Sequence, residues 1–358
     1  METTELHDGY NIPNLFYGTY KVFDELLPCL DAALGAGYRG IGRRVMGSDL
    51  LIAFALDTAA YYHNERRIGE ALKLLMPKYN LHRRDLFLST KLPPKSYGSS
   101  AALHAFRVSQ EALEAAYIDL YMIHWPGLQG LNAAAKAKDG RGYMAELRRQ
   151  SWQAMETLVL ESEEAAQQLV ETQQSPVSII KGSGPYRCVR SLGVCNYLPR
   201  HVQELASYAT VPPAVVQKPK PTVRTFCPIS PLFTTQYEFH PYLSVEAQEH
   251  PMRRMCTRLF PMQPVHFQAH TVFAGGSPDL LNSRVIQKAA NELQKTPAQI
   301  IIRWSLQKGH SVIATSTKPR HIIENSRVFG WTLDQPIISR IDAMERNERF
   351  CWDPHAIP

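Results

Sequence analysis

The sequence lacks any apolar stretch long enough to cross a membrane. Its longest uninterrupted apolar run, residues 50–56, has seven residues, whereas a membrane-spanning helix needs about 18 or more. The first eight residues contain three acidic side chains and no apolar core, which excludes an ordinary secretory signal. We therefore expect a cytoplasmic protein that does not insert into a membrane.

Paired cysteines and long runs of one charge are also missing. The six cysteines form no C-x-x-C pair and no cluster with histidine, so the sequence favours neither a disulfide framework nor a zinc site, and we expect no metal. The 39 basic and 33 acidic residues are interspersed and give a net charge of +6. This pattern indicates no nucleic-acid partner, and the modest positive balance fits an anionic small ligand.

What the sequence contains is a regular alternation of short β-rich runs and amphipathic helical stretches. This alternation is typical of parallel-sheet α/β folds. Its repetition roughly eight times predicts a closed (β/α)8 TIM barrel, in a single domain that spans residues 1–358. The predicted strands are residues 86–90, 118–123, 189–194, 214–216, 265–268 and 311–313, and the predicted helices are residues 64–75, 99–116, 152–170, 285–293 and 319–328.

Two local signals mark helix ends. Thr296, Pro297 and Gln299 have the spacing of a capping box with proline at the first helical position, which predicts a helix start. Residues 35–40 match the dinucleotide fingerprint G-x-G-x-x-G, but a predicted helix over residues 24–34 precedes them, where the fingerprint requires a strand. We therefore interpret these glycines as a helix C-terminal cap.

Polar side chains follow several apolar runs at the point where each run ends. Asp57 follows residues 50–56, Lys91 follows a predicted strand, and so does His124. Tyr62 lies five residues after Asp57. Because the carboxyl ends of barrel strands meet at one rim, where such barrels carry their chemistry, we expect these side chains to form a site.

The four residue types suit the protonation of a substrate oxygen. A lysine buried at a strand end is costly unless it is paired, so Lys91 should meet the carboxylate of Asp57. The ammonium of Lys91 should lower the pKa of Tyr62 from about 10 toward neutral, so that Tyr62 can donate a proton. His124 would hydrogen-bond the substrate oxygen. Each residue taken singly has a structural alternative, but all four at successive strand ends favour a catalytic site.

Four segments resemble the signatures of the aldo-keto reductases. They are residues 57–65 (DTAAYYHNE), 89–92 (STKL), 117–126 (YIDLYMIHWP) and 193–196 (GVCN), and the similarity extends over nearly the whole chain. The carboxy-terminal half looks like fungal members. The resemblance implies a (β/α)8 barrel that transfers hydride from a nicotinamide cofactor to an aldehyde or ketone. Its catalytic tetrad would be Asp57, Tyr62, Lys91 and His124, with Tyr62 as the proton donor.

The resemblance also implies which residues contact the ligands. Substrate specificity would lie in the long loop over residues 127–150 and in the tail over residues 346–358. The substrate pocket would contain Tyr20, His124 and Trp125. The cofactor contacts would come from Gly18, Thr19, Asp57, Asn196, Gln236, His270, Thr271, Phe273, Ser316, Thr317, Lys318, Glu324 and Asn325.

The nicotinamide side departs from the family pattern at two positions. Cys195 stands where a serine usually precedes Asn196, so the carboxamide contact carries over to Asn196 alone. His270 stands where a tyrosine usually stacks on the nicotinamide. An imidazole would therefore replace the phenol ring in this chain.

The segment after the eighth strand departs as well. Thr315 and His321 occupy the usual lysine and arginine positions, and the cations are shifted to Lys318 and Arg320. Cations at a helix N-terminus can bind the 2′-phosphate that distinguishes NADPH from NADH. We therefore expect NADPH rather than NADH, with solvated surface charge as the alternative role of both cations.

Three segments have no counterpart in the family pattern. They lie near residues 42–56, 162–186 and 218–235, and loops longer than about 12–15 residues are uncommon without a role. The protein could be an active reductase of a small-molecule carbonyl that tolerates insertions. It could also be a catalytically impaired or non-catalytic relative. In that case the insertions would be translation artefacts that disrupt the barrel. We expect a monomer or weak dimer in either case.

The first insertion creates two candidates for the second barrel strand. One is residues 38–41, which have the family-like position, and the other is residues 51–56. A barrel of fixed strand number has room for only one of them. Burial of an apolar run contributes about 25 cal/mol per Å², which favours residues 51–56 and keeps Asp57 at the strand end.

Overall fold

The computed structural model describes residues 3–5, 11–36, 54–129, 140–171, 188–210, 233–244, 249–259 and 265–357. Within these ranges, eight parallel strands form a closed barrel. The last strand, Ser311–Thr315, hydrogen-bonds both to the strand before it, His266–His270, and to the first barrel strand, Leu15–Gly18, which closes the sheet on itself. The predicted (β/α)8 fold class is confirmed, and the barrel strands are β3 (Leu15–Gly18), β4 (Phe54–Asp57), β5 (Leu86–Leu92), β6 (Tyr117–Ile123), β7 (Cys188–Cys195), β8 (Phe233–Glu238), β9 (His266–His270) and β10 (Ser311–Thr315).

Outside the barrel, a short antiparallel pair precedes the first barrel strand. It consists of β1 (Thr3–Glu5) and β2 (Asn11–Pro13). The helices are α1 (Leu26–Gly35), α2 (Glu65–Lys78), α3 (Ser99–Ala112), α4 (Gly140–Glu171), α5 (Pro199–Ala206), α6 (Glu249–Leu259), α7 (Pro278–Leu281), α8 (Arg284–Leu293), α9 (Pro297–Gln307), α10 (Pro319–Ser326) and α11 (Gln335–Asp342).

The two helix ends predicted from local signals can be compared with the structure. Helix α9 begins with the expected capping box, in which Thr296 and Gln299 each accept a hydrogen bond from the other's backbone N–H. Helix α1 ends at Gly35, so the first glycine of the G-x-G-x-x-G match closes a helix and does not follow a strand. The rest of that match lies outside the described residues.

The second barrel position is occupied by the favoured candidate. Strand β4 consists of Phe54–Asp57, which includes the last three residues of the first insertion. Leu56 is in register with Tyr17 of β3 on one side and with Leu88 of β5 on the other. The competing candidate, residues 38–41, lies outside the described residues.

The other two insertions are described only at their ends. Residues 162–171 continue helix α4, and residues 233–235 begin strand β8. The predicted strand at 214–216 lies outside the described residues, and neither β3 nor β8 was among the predicted strands. In the described part of the chain, no helix combines the length and apolar character needed to span a membrane.

The strands divide their side chains between two apolar clusters because successive residues point to opposite faces of a sheet. One cluster joins the outer faces of the strands to the surrounding helices. The other lies inside the barrel, where the rings of Phe16 and Phe87 meet edge to face at 5.5 Å. The inner cluster contains Ile12, Phe16, Ala55, Phe87, Leu120, Met122 and Ile313.

We predict that Phe54→Ala lowers the free energy of unfolding by about 3–5 kcal/mol, as expected for a fully buried aromatic side chain. Phe54 has no exposed surface, whereas Leu74 on helix α2 is 66% exposed. Leu74→Ala is therefore the matched control and should change the free energy by less than about 0.5 kcal/mol. Urea denaturation measures both values, and equal effects would show that residues 54–57 do not form a barrel strand.

Candidate active site

The inner faces of the barrel strands change from apolar to polar toward their carboxyl ends. Asp57, Lys91 and His124 each lie an even number of residues after an inward-facing apolar side chain of the inner cluster. Since side chains alternate along a strand, the same face carries all three to the rim. Tyr62 reaches this rim on a 3₁₀ turn, Ala60–Tyr62, that follows β4.

The centre of the site is an ion pair between Lys91 and Asp57. Lys91 Nζ lies 2.7 Å from Asp57 Oδ2 and 2.9 Å from Oδ1, and it donates a third hydrogen bond to the carbonyl oxygen of Thr58 at 2.9 Å. The two side chains are 0% and 3% exposed. The three donors of the ammonium are thereby satisfied without water, and the expected pairing of Lys91 with Asp57 is confirmed.

Further hydrogen bonds connect the carboxylate of Asp57 to distant strands. The Ser89 hydroxyl donates to Oδ1 at 2.8 Å and Gln236 Nε2 donates to the same oxygen at 3.2 Å. Gln236 also donates to Gln268 at 2.8 Å and accepts a hydrogen bond from the Cys195 thiol at 3.1 Å. The network therefore joins strands β4, β5, β7, β8 and β9.

The Tyr62 ring packs against the side chains of Lys91 and His124. Its centroid is 5.4 Å from Lys91 Nζ and 5.6 Å from the His124 ring, which it meets edge to face at 78°. Burial raises the pKa of Tyr62 well above its usual value, and the carboxylate of Asp57 raises it further. The expected lowering of this pKa toward neutral is wrong for the free protein, because burial and the negative charge of Asp57 both favour the protonated phenol. The phenol therefore keeps its proton at neutral pH.

The His124 imidazole is uncharged in this environment. Burial lowers its pKa well below the usual value, and the positive charge of Lys91 lowers it further. A neutral imidazole carries one N–H donor and one acceptor nitrogen. The site thus presents two neutral hydrogen-bonding rings, from Tyr62 and His124, beside a buried ion pair.

Aromatic side chains surround the entrance to the site. Trp352 meets the rings of Trp125 and Tyr61 edge to face, each at 5.7 Å, and Tyr20 packs at 5.0 Å from Tyr62. Trp352 remains 57% exposed. These contacts give the entrance an apolar wall with an open side.

Trp352 comes from the carboxy-terminal tail, which two charged groups hold in place. The buried carboxylate of Glu238, on strand β8, accepts hydrogen bonds from the backbone N–H groups of Phe350 and Cys351. Arg200 donates to the carbonyl oxygen of Ile357 at 2.6 Å. The tail is the part of the chain that completes the entrance.

A second group of polar residues adjoins the catalytic candidates. Asn196 follows strand β7 with a left-handed φ of 61°, a conformation that asparagine tolerates better than most residues. Its Nδ2 donates to the carbonyl oxygen of His124 at 3.1 Å, and its Oδ1 lies 3.1 Å from His270 Nε2. Asn196, Gln236 and His270, all expected on the cofactor side, are thus brought beside the ion pair.

The remaining expected cofactor residues lie on the strands and segments around β10. Tyr17 donates to the carbonyl oxygen of Ser316 at 3.0 Å, and Thr19 donates to that of Asp57 at 3.2 Å. A side chain at Gly18 would collide with the side chains of Thr315 and Ile313, so only glycine fits there. Phe273 packs on the outer cluster.

Helix α10 supplies two further polar features. No side chain caps its N-terminus at Lys318, and the Ser316 hydroxyl accepts a hydrogen bond from the backbone N–H of Lys318 at 3.1 Å. Asn325 is buried, and its Oδ1 has no hydrogen-bond partner among the described residues. Because a buried acceptor is costly when unpaired, Asn325 fits a ligand that brings an N–H donor, as the adenine amino group does.

Sequence reasoning missed several groups that complete the site. Ser89 lies two residues before Lys91 on the same inward face, so alternation along the strand could have identified it. Gln268 gave no such signal because it meets the site only through a contact across the fold, and Cys351 belongs to the tail, residues 346–358, that was expected to contribute to specificity. Trp352 was expected only as part of the tail.

Comparisons with known proteins are consistent along almost the whole chain. A model of the Aldo/keto reductase family matches residues 14–223. The glyoxal reductase of Bacillus subtilis (strain 168) is 29% identical over 355 residues, which cover 99% of this chain and 96% of that protein. Aldo-keto reductase family 1 member A1 of Sus scrofa is 28% identical over 350 residues, which cover 96% of this chain and 90% of that protein.

Solved structures are similar to this chain over nearly its whole length. An aldo/keto reductase from Brucella melitensis superposes with a TM-score of 0.64 at 26% identity, covering 96% of this chain and 97% of the other. A second structure, the aldo-keto reductase MGS-M4 from a deep-sea metagenome library, has a TM-score of 0.68 at 24% identity over 100% of both chains. At that identity the second similarity supports the fold alone.

We predict that Lys91→Met lowers the free energy of unfolding by about 3–5 kcal/mol, because it leaves the carboxylate of Asp57 buried without a counter-ion. The double variant Lys91→Met/Asp57→Asn removes both charges and should recover most of that loss. Urea denaturation at pH 7 measures both variants. A loss below about 1 kcal/mol for Lys91→Met would be typical of an exposed pair and would contradict the buried geometry.

Proposed function

Since the chain belongs to the aldo/keto reductase family, we propose that it reduces a small aldehyde or ketone to an alcohol with NADPH, and that Tyr62 is the proton donor. Membership and the named relatives make it an NAD(P)H-dependent oxidoreductase. The preference for NADPH and the role of Tyr62 are our proposals. The observation that carries the role of Tyr62 is the buried Lys91–Asp57 pair beside the Tyr62 ring. The preference for NADPH rests instead on Lys318 and Ser316 at the N-terminus of helix α10.

Each member of the site has one role in the proposed mechanism. The neutral His124 ring donates a hydrogen bond that orients the substrate carbonyl, and the Tyr62 hydroxyl gives its proton to the carbonyl oxygen as negative charge develops there. A nicotinamide cofactor held beside Asn196 and Gln236 would supply the hydride that the carbonyl carbon accepts. Lys91 stabilises the phenolate that Tyr62 becomes, and Asp57 holds Lys91 in position.

The raised pKa of Tyr62 is compatible with this role. A phenol that ionises only at high pH keeps its proton until an acceptor of comparable basicity forms, and a developing alkoxide is such an acceptor. The ammonium of Lys91, 5.4 Å from the ring centroid, then favours the phenolate over the alkoxide. The ion pair therefore acts on the transition state more than on the resting enzyme.

Two groups of residues support cofactor binding. Asn196, Gln236 and His270 offer amide and imidazole groups beside the ion pair, where a nicotinamide carboxamide would bind. We propose that Gly18, Thr19, Thr271 and Phe273 line the path between the two ends of the cofactor. At the far end we propose that Ser316, Thr317 and Lys318 hold the adenosine 2′-phosphate, and that Glu324 and Asn325 contact the adenine.

The walls of the entrance favour an apolar substrate. The rings of Tyr20, Tyr61, Trp125 and Trp352 offer apolar surface, and a polyhydroxylated substrate would lose water there without gaining hydrogen bonds. We therefore propose an aromatic or aliphatic aldehyde or ketone in preference to an aldose. The contacts of the tail with Glu238 and Arg200 would hold Trp352 in this wall.

We also propose that residues 1–358 form a single barrel domain in which the segments near 42–56, 162–186 and 218–235 are insertions. The assembly of the ion pair, Tyr62 and His124 in the described part of the chain supports an active enzyme over an impaired one. A fluorescence titration with NADPH and NADH separates the two alternatives. Failure to bind either cofactor would favour a barrel that the insertions disrupt.

We predict that Tyr62→Phe lowers kcat for NADPH-dependent reduction of benzaldehyde by about 10²–10⁴-fold, because it removes the proton donor. The dissociation constant of NADPH should change less than about twofold, since the ring is retained. Tyr61→Phe is the matched control, because Tyr61 also contacts His124 but is not proposed to transfer a proton. Stopped-flow and titration measurements check both variants, and near-normal turnover by Tyr62→Phe would exclude the assigned role.

We predict that Lys318→Ala raises the dissociation constant of NADPH by about tenfold, the effect of losing one charge-assisted hydrogen bond to the 2′-phosphate. Binding of NADH, which lacks this phosphate, should be unchanged. Lys295→Ala is the control, because Lys295 lies over the ring of Trp331, which donates to Arg327 at the C-terminal end of helix α10, opposite the end that carries Lys318. Equal weakening of NADPH and NADH would show that Lys318 does not recognise the phosphate.

A further inference from the structure

His270 makes polar contacts with both of its ring nitrogens. Its Nε2 lies 3.1 Å from Asn196 Oδ1, and its Nδ1 lies 2.8 Å from the Thr271 hydroxyl. Burial lowers the pKa of His270 to about 4, so the imidazole is neutral near pH 7 and has one N–H. The position of that hydrogen follows from its neighbours.

Asn196 Oδ1 is an amide oxygen and can only accept hydrogen bonds. The hydrogen of His270 is therefore on Nε2, and Nδ1 accepts a hydrogen bond from the Thr271 hydroxyl. The Thr271 oxygen can in turn accept from the Cys351 thiol, 3.2 Å away. Burial raises the pKa of Cys351 to about 11, so this thiol carries the hydrogen that the contact needs.

The resulting series of hydrogen bonds runs in one direction from the tail to the active site. The Cys351 thiol donates to Thr271, Thr271 donates to His270, and His270 donates to Asn196. Asn196 Nδ2 then donates to the carbonyl oxygen of His124 and to Cys195 Sγ, both at 3.1 Å. Each donor faces an acceptor, which determines the orientation of the Asn196 amide.

That orientation matters for a ligand because Oδ1 has two lone pairs and His270 uses one of them. The second lone pair is available to an N–H donor such as a carboxamide. If the amide were rotated by 180°, Nδ2 would face the His270 donor and Oδ1 would face the His124 carbonyl oxygen, so both contacts would be repulsive. The carbonyl oxygen of His124, which can only accept, excludes that alternative, and the Nε2–H donor of His270 then holds the amide oxygen in place.

We propose that His270 is a positioning residue that holds Asn196 Oδ1 ready to accept a hydrogen bond from the nicotinamide carboxamide. The inference rests on the proposed function, because it requires that a nicotinamide nucleotide binds at this site. It assigns His270 a hydrogen-bonding role in place of ring stacking. Thr271, whose hydroxyl donates to Nδ1 of that tautomer, acts through His270.

The test compares two nucleotides that differ only at the amide. NADP⁺ has a carboxamide NH₂, whereas its 3-acetylpyridine analogue has a methyl group at that position and cannot donate. We expect the wild-type protein to bind NADP⁺ about 5–10-fold more tightly than the analogue, the effect of one hydrogen bond. In His270→Phe, which keeps a ring but removes the donor, this ratio should fall to about 1–2.

Two further variants separate positioning from packing. In His270→Gln the amide N–H can replace the Nε2 donor, so the ratio should stay close to the wild-type value. In Thr271→Val the ring is retained but Nδ1 loses the hydroxyl that donates to it, which weakens the placement of the ring, so the ratio should be intermediate. If His270→Phe fails to fold, the Thr271→Val and His270→Gln pair still decides the question.

Adenosine 2′,5′-bisphosphate, which lacks the nicotinamide, is the control ligand and should bind equally to all variants. A wild-type ratio retained in His270→Phe and Thr271→Val would overturn the inference while leaving the proposed function intact. An unchanged ratio in His270→Phe together with weaker binding of the bisphosphate would indicate a general packing defect and would also overturn it. Absence of any nucleotide binding by the wild-type protein would overturn both proposals.

Discussion

The buried ion pair between Lys91 and Asp57 is the interaction on which the site depends. Transfer of two charges out of water is expensive, and their attraction offsets the cost only where the remaining donors and acceptors are satisfied. Here the ammonium has three acceptors, and the carboxylate also accepts from Ser89 and Gln236. These partners include Gln236 from strand β8 as well as residues of the neighbouring strands β4 and β5, so the complete set is assembled only in the closed barrel.

The same pair determines the protonation of the rings around it. Asp57 raises the pKa of Tyr62, and Lys91 lowers the pKa of His124, each in addition to the larger effect of burial. Both rings are therefore neutral at physiological pH. A neutral phenol and a neutral imidazole beside a fixed ammonium form an arrangement in which little charge has to be rearranged before a proton moves.

Departures from the family pattern are compensated by new contacts in this chain. Cys195 replaces a serine, and its thiol still donates to Gln236. His270 replaces a tyrosine and gains hydrogen bonds to Asn196 and Thr271. The tail, held by Glu238 and Arg200, brings Cys351 to Thr271 and Trp352 to the entrance. The substitutions therefore form a connected group in the structure.

The sequence by itself determined the features that depend on neighbouring residues. The alternation of elements predicted the barrel, the capping box at Thr296 predicted a helix start, and the polar residues after apolar runs predicted the rim. Only the tertiary structure decided that Phe54–Asp57 forms the second strand, that Tyr62 has a raised pKa, and that His270 meets Asn196. Periodicity and capping involve residues a few positions apart, whereas burial, register and the 74-residue separation of His270 from Asn196 are set by how the closed barrel packs.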